Sequence, residues 1–267
     1  MHIISTNITM YWIDVLLSMS IRKKHFFHSN TTLNEYFDID SKTTVPENEY
    51  PILNYFTIGV GGEPIIDDLN YRYNDHSATD VVLRNIIPFK LRKPSEDLTI
   101  KEQENYRFKK SIFINDEEYY AYYLKKINVI NARDEFFKIT TDENDHSVLS
   151  IFNTKDENLL SPKPLDKKVI IENAKTSTFI AKNIQFLFNM SIDDLIEINN
   201  IIDLLKIDAT HITEIGLCSS IDNESYLEPR RVQLAYFAES AINISTKILT
   251  EKPLNIYLEV GSSEPYV

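Results

Sequence analysis

The sequence predicts an α+β fold: strand-rich, built mainly from antiparallel sheets, with a few short helices and a helix near the N-terminus. Three observations predict it. Short apolar runs separated by clusters of turn-forming residues recur, as in residues 106 to 130 and 134 to 154. One stretch, Ser191 to Lys206, instead repeats apolar residues at three- and four-residue steps. Strands and helices do not alternate regularly, which argues against a doubly wound parallel sheet.

The first element is "MYWIDVLLSM", residues 10 to 19. It reads as a short amphipathic helix running on through "SIRKKHFF", with Val15, Leu16, Met19 and Phe26 inward. Asp14 lies inside it, no basic residue precedes it and no small-residue cleavage pattern follows, so it does not read as a signal peptide. It has roughly half the ~20 apolar residues that a bilayer-spanning helix needs. Trp12 gives this helix an aromatic surface that either docks on a neighbour or packs internally. Residues 31 to 50 are polar and acidic and read as a surface excursion.

Next comes an apolar strand, Ile52 to Ile58, which runs into Gly59, Gly61 and Gly62, three of only five glycines in 267 residues. A phosphate-binding loop needs a lysine and a hydroxyl residue directly after its last glycine. Here Glu63 and Pro64 follow, a carboxylate that repels phosphate and a residue without an amide donor. The three glycines therefore read as a bend with positive φ.

In "NDHSATD", His76 and Asp80 stand four apart, a spacing that can place two metal ligands on one helix face. A metal site needs a third and fourth protein ligand, and Asp75 is the only one near. Ser77 and Asp80 read instead as a capping box for a helix "ATDVVLRNII" that Pro88 ends. A second short helix is expected at "IKEQENY".

Residues 106 to 130 read as two strands around Asn115 and Asp116, a β hairpin, and residues 134 to 154 as another around "DENDH". The second strand of the first hairpin carries "YYAYY". Alternation sets Tyr119 and Tyr123 on one face and Tyr120 and Tyr122 on the other, a pattern of core packing, of an interface or, with Lys125 and Lys126 adjoining, of a stacking platform for single-stranded nucleic acid, which the net negative charge disfavours. Residues 155 to 168, with Pro162 and Pro164 among charges, read as a linker or loop. The chain thus divides into 1–49, an N-terminal helix and polar segment; 50–154, strand-rich with hairpins; the linker; and 169–267, a part with strands and a helix. The two larger parts can form one domain. In the last part Ser191 and Asp194 form a capping box that starts the helix 192 to 206, with Asp193 and Asp194 at the positive end of its dipole.

Composition narrows the function. Forty acidic against 28 basic residues give a net charge of −12, unfavourable for a phosphate-neutralising surface but compatible with a passage through which DNA slides. The lone Cys218 permits no intrachain disulfide and no thiolate metal cluster. His211 lies seven residues before it, on the opposite face of a strand, so the two do not make a thiol–imidazole pair. No catalytic constellation, cofactor motif or metal motif stands out.

The order of segments "YPILNYFTIGVGG", "HSATDVVLRNIIPFKLRKPSEDLTIKEQENYRFKK", "EEYYAYYLKKI", "MSIDDLIEINNIIDLL", "HITEIGLCSSID" and "YLEVGSSEP" resembles virion structural proteins of tailed bacteriophages. The resemblance implies a non-enzymatic building block of the particle, assembled in the host cytoplasm: an oligomeric ring or adaptor subunit of the connector, neck, tail or baseplate. Its partners would be other copies of itself and neighbouring virion proteins, with no cofactor and no membrane. It reaches from Tyr50 to Pro265 and leaves the first 49 residues outside. The alternative is an independent binding module, for instance one that recognises a host surface, and after it an enzyme with convergent ionisable residues.

Overall fold

A computed structural model describes residues 6–8, 52–60, 65–67, 70–72, 76–77, 79–80, 82–132, 137–141, 147–151, 178–223, 231–236 and 240–265. The chain forms two compact units, Met1–Ile127 with Asn189–Leu254, and Asn128–Phe188 with Asn255–Val267.

In the first unit the strands in chain order are β1 (Thr6–Ile8), β2 (Ile52–Gly59), β3 (Ile65–Asp67), β4 (Asn70–Arg72), β5 (Ile86–Ile87), β6 (Lys90–Arg92), β7 (Tyr106–Ile114) and β8 (Glu117–Lys126). The second unit contributes β9 (Asn128–Ala132), β10 (Phe137–Thr141), β11 (Ser147–Ile151) and β12 (Thr178–Met190), the last of which leads back into the first unit. There follow helix α1 (Ile192–Leu205), β13 (His211–Asn223), β14 (Arg231–Tyr236) and β15 (Ser240–Lys247). Finally β16 (Leu254–Pro265) joins the second unit.

A nine-stranded sheet organises the first unit, in the order β1-β15-β13-β2-β8-β6, with β14 beside β13, β5 beside β2 and β7 beside β8. Every described pairing in it is antiparallel, so strands distant in sequence meet without crossover helices. At the centre β2 and β13 pair from Glu214 opposite Gly59 to Ser220 opposite Ile52, and both are buried over most of their length. The sheet curls far enough that β14 comes up against β7. Pro88, which lacks an amide donor, marks the step where "IIPFKLR" leaves β2 and continues on β8. Phe89 resumes the ladder by donating its amide to the Tyr122 carbonyl at 2.8 Å. The rings of Phe56 and Phe89 then meet edge to face at 5.2 Å in the core.

In the second unit five strands run β11-β10-β12-β16, with β9 also on β12. The hairpin expected around "DENDH" corresponds to β10 and β11, paired from Phe137 opposite Ile151 to Thr141 opposite Ser147. The loop itself, and the linker 155 to 168, lie outside the described residues.

The expected α+β class needs correction. The fold is strand-rich with antiparallel sheets, and α1 is the one α-helix among the described residues. It is not N-terminal: the helix expected from Met10 lies outside the described residues, and the described N-terminal element is the strand β1. The helix expected after Ser77 is replaced by an irregular segment that ends in β5. Its start signal is satisfied without a helix, because Asp80 accepts the Ser77 amide at 2.9 Å and the Ser77 hydroxyl at 3.0 Å within a single turn. Ile86 and Ile87, β-branched and buried, then pair with β2. "IKEQENY" forms only one 3-10 turn, Glu102–Glu104. No described helix is long and apolar enough to cross a membrane.

Candidate functional site

The site grows from the start of α1. Ser191 is extended, as an N-cap must be, and its hydroxyl accepts the Asp194 amide at 3.2 Å. Asp194 in turn accepts the Ser191 amide at 2.9 Å, completing the capping box. The carboxylate does more than cap. Asp194 is fully buried and faces β6, β7 and β8, where the Tyr106 hydroxyl donates to Oδ1 at 2.5 Å, the Lys90 ammonium lies 3.0 Å from Oδ1 and the Lys125 ammonium donates to Oδ2 at 2.5 Å. One turn later Glu197 accepts from Lys90 at 2.9 Å and from the Leu91 amide at 3.0 Å, and it pairs with the Arg92 guanidinium. The Tyr106 ring lies 5.0 Å from the Lys90 ammonium and 5.5 Å from that of Lys125, within cation–π range of both.

The electrostatics follow from this crowding. Burial alone would raise the Asp194 pKa, but the charge and hydrogen bond of Lys125, with Tyr106 and Lys90, hold it well below the usual carboxylate range. Burial, reinforced by the bond to Asp194, pushes the Tyr106 phenol far up. Lys125 is lowered, since burial outweighs the attraction of Asp194 and Lys90 adds repulsion. Three cations and two carboxylates are thus spent on one another, locking the first two turns of α1 onto the sheet.

Beside this network lies an open groove of about 410 Å³. Its walls include Leu91 and Arg92 of β6, Tyr119 of β8, and Ile196, Asn200 and Leu204 of α1. Ile196 is 43% exposed and Leu204 37%, large values for aliphatic side chains on a helix that buries Leu195, Ile198, Ile201 and Ile202. The groove sets apolar side chains beside Asp193, Asn200 and the Arg92–Glu197 ion pair, chemistry suited to holding another surface.

A second polar cluster sits on β13. Glu214, fully buried, accepts the Arg84 amide at 2.9 Å through Oε2, and its Oε1 lies 3.6 Å from the Arg84 guanidinium. His76 Nε2 comes within 2.8 Å of Oε1, off the hydrogen-bond line, while Nδ1 is 3.2 Å from Asp80 Oδ2. Burial would raise the Asp80 pKa, but bonds from Ser77 and then the contact with His76 lower it. This chain of contacts ties the irregular segment 76 to 85 to the central strand. It also accounts for Gly59. That residue lies within β2 with φ outside the left-handed region, and a Cβ there would stand 2.6 Å from Glu214 Oε2 and 3.3 Å from Leu83 Cβ. The glycine is required by close approach of a buried carboxylate, not by the expected positive-φ bend.

The other predicted residues fall in different places. Ser77, Asp80, Ser191 and Asp194 make the local bonds just described. Tyr122 and Tyr123 are buried, and the Tyr122 hydroxyl donates to Asp97 at 2.5 Å. Tyr119 is half-buried on the groove and donates to Glu117 at 2.9 Å, and half-buried Tyr120 has the Lys109 ammonium 4.5 Å from its ring centroid. Trp12, Gly61 and Gly62 lie outside the described residues. Cys218 is buried. Lys90, Arg92, Tyr106, Glu197 and Glu214 belong to no motif in the sequence, and Lys125 stands out there only as adjoining the tyrosine strand. A signal existed for Glu197, three residues beyond Asp194 on the same helix face, and for Lys125, a charge inside an aromatic strand. Among the described residues no group of three His, Cys, Asp or Glu is placed to hold a metal ion.

A family model spans residues 3–267, nearly the whole chain. The chain belongs to DUF7208, a family of unknown function. No curated protein and no solved structure matches it.

Proposed function

We propose that the chain is a structural subunit of a tailed-bacteriophage virion, a building block that repeats around a ring or adaptor of the connector, neck, tail or baseplate. The observation that carries this reading is how the ionisable groups are used. The densest constellation, around Asp194 and Glu197, is engaged in holding α1 to the sheet, and the surface left open beside it is an apolar groove with exposed Ile196 and Leu204. Such a surface suits contact with another folded chain. The resemblance of the order of segments to that of virion structural proteins supports the same reading, and the net charge of −12 suits a subunit near DNA that does not bind it.

Quantitative mass spectrometry of density-purified particles from the source tests this directly, by counting the chain against the major capsid protein. A fixed copy number compatible with a closed ring is the expected result. Absence of the chain from purified particles would overturn the reading.

A further inference from the structure

The exposed stripe of α1 has a definite chemical character. Asp193, Ile196, Asn200 and Leu204 follow one another at three- and four-residue steps with Asp203 beside them, and all five are exposed: two acids, two aliphatics and an amide. Asp203 stands in the last turn, where the helix dipole is already negative, and that turn contains no basic residue. The exposed C-cap residue Lys206 is the cation that this helix end already has. A further cation supplied from outside would meet Asp193 and Asp203, and an apolar knob beside it would cover Ile196 and Leu204.

The same chain carries such a surface elsewhere. β7 and β8 meet in a two-residue turn at Asn115 and Asp116, both with positive φ, as a tight hairpin requires. From Ser111 to Tyr120 none of its residues is buried, whereas Ala121 to Lys125 all are. The outer half of the hairpin therefore stands clear of the core. It presents Phe113, 73% exposed, with exposed Lys109 four residues back on the same strand face. Lys109 contacts Asp97 at 3.3 Å, an exposed pair weak enough to exchange.

We propose that the hairpin of one copy docks on the α1 groove of a second copy, Phe113 against Ile196 and Leu204, with Lys109 toward the acids of the stripe. Knob and slot lie on different parts of one chain, so the contact is heterologous and propagates head to tail, closing into a ring when the rotation per subunit allows. The inference rests on the ring-subunit reading and supplies its contact.

The test uses the full-length protein. Sedimentation of the wild type across a concentration series should show self-association that weakens with salt. Phe113→Asp and Ile196→Asp should each weaken it by about tenfold or more while leaving the urea unfolding midpoint near that of the wild type. Chains carrying Phe113→Cys and chains carrying Ile196→Cys, mixed with a short bis-maleimide linker, should give a mixed dimer that neither gives alone. A wild type that stays monomeric throughout, unchanged association in Phe113→Asp, or Phe113→Cys linking only to itself would each overturn the contact. Failure of the contact is distinguishable from failure of the function: mixed dimers from a chain absent from particles would leave the contact standing and defeat the virion reading, and the reverse pattern would defeat the contact alone.

Discussion

Asp194 and Glu214 are both fully buried carboxylates, yet they are neutralised in different ways. Asp194 faces the ammonium groups of Lys125 and Lys90 and a phenol donor, partners brought by regular strands. Glu214 faces a backbone amide, an imidazole and a guanidinium at 3.6 Å, all from an irregular segment. An imidazole carries charge only when protonated, whereas a lysine ammonium persists to high pH. Asp194 is thus part of a permanent ionic lock between helix and sheet. Glu214 is the anchor of a tether that lays a loop on a strand.

Removing the stronger lock should have the largest effect. Asp194→Ala leaves the buried Lys125 without its carboxylate, takes one of two carboxylate partners from Lys90 and deletes a helix cap, and should cost about 3–5 kcal/mol in urea unfolding. A loss below about 1 kcal/mol would mean that solvent reaches the lysines. The same lock has a pH signature. The folded pKa of Asp194 lies below its unfolded value, so its contribution is complete above about pH 3.9 and disappears as pH falls through the depressed folded value. The stability gap between the wild type and Asp194→Asn should therefore be flat near neutrality and close in acid; a gap that does not narrow below about pH 3.9 would contradict the assignment.

Glu214→Ala comes next, at about 3 kcal/mol, because the Arg84 amide loses a buried acceptor and His76 its carboxylate neighbour. Amide hydrogen exchange should accelerate at Arg84 but not within α1. Gly59→Ala should cost about 2 kcal/mol through overlap with the Glu214 carboxylate, and less when Glu214 is already alanine. Strict additivity of those two changes would argue against the close approach. Ser191→Ala should be smallest, about 1 kcal/mol for one cap bond, seen as a small shift in thermal midpoint.

The two regions also differ in how far the sequence discloses them. The cap of α1 is legible because Ser191 and Asp194 are three residues apart and a periodic apolar run follows, and the hairpin turn at Asn115 and Asp116 is legible for similarly local reasons. Ser77 and Asp80 carry the same signature and make comparable bonds, but no helix follows. What decides there is long-range: His76 and Arg84 are drawn to Glu214, about 130 residues away, and Ile86 and Ile87 gain more by pairing with β2. Which lysines meet Asp194 is illegible for the same reason, since only strand register sets Lys125 against Tyr106 and brings both beneath the helix. Gly59 shows the point at one residue. Its neighbours Gly61 and Gly62 invite a local explanation, and the cause is a side chain on another strand.

The central pairing of β2 with β13 sets a schedule for biosynthesis. Phe56 lies opposite Leu217, so roughly 160 residues must be translated after β2 before its inner neighbour exists. At about 5–20 residues per second the ribosome takes on the order of ten seconds or more to supply it. For that interval the run "YFTIGV", buried in the finished protein, has an unsatisfied edge. Any nascent chain stalled before His211 is thus poised to pair with its neighbours on the polysome, and yield should depend on chaperone supply and translation speed through the second half of the message.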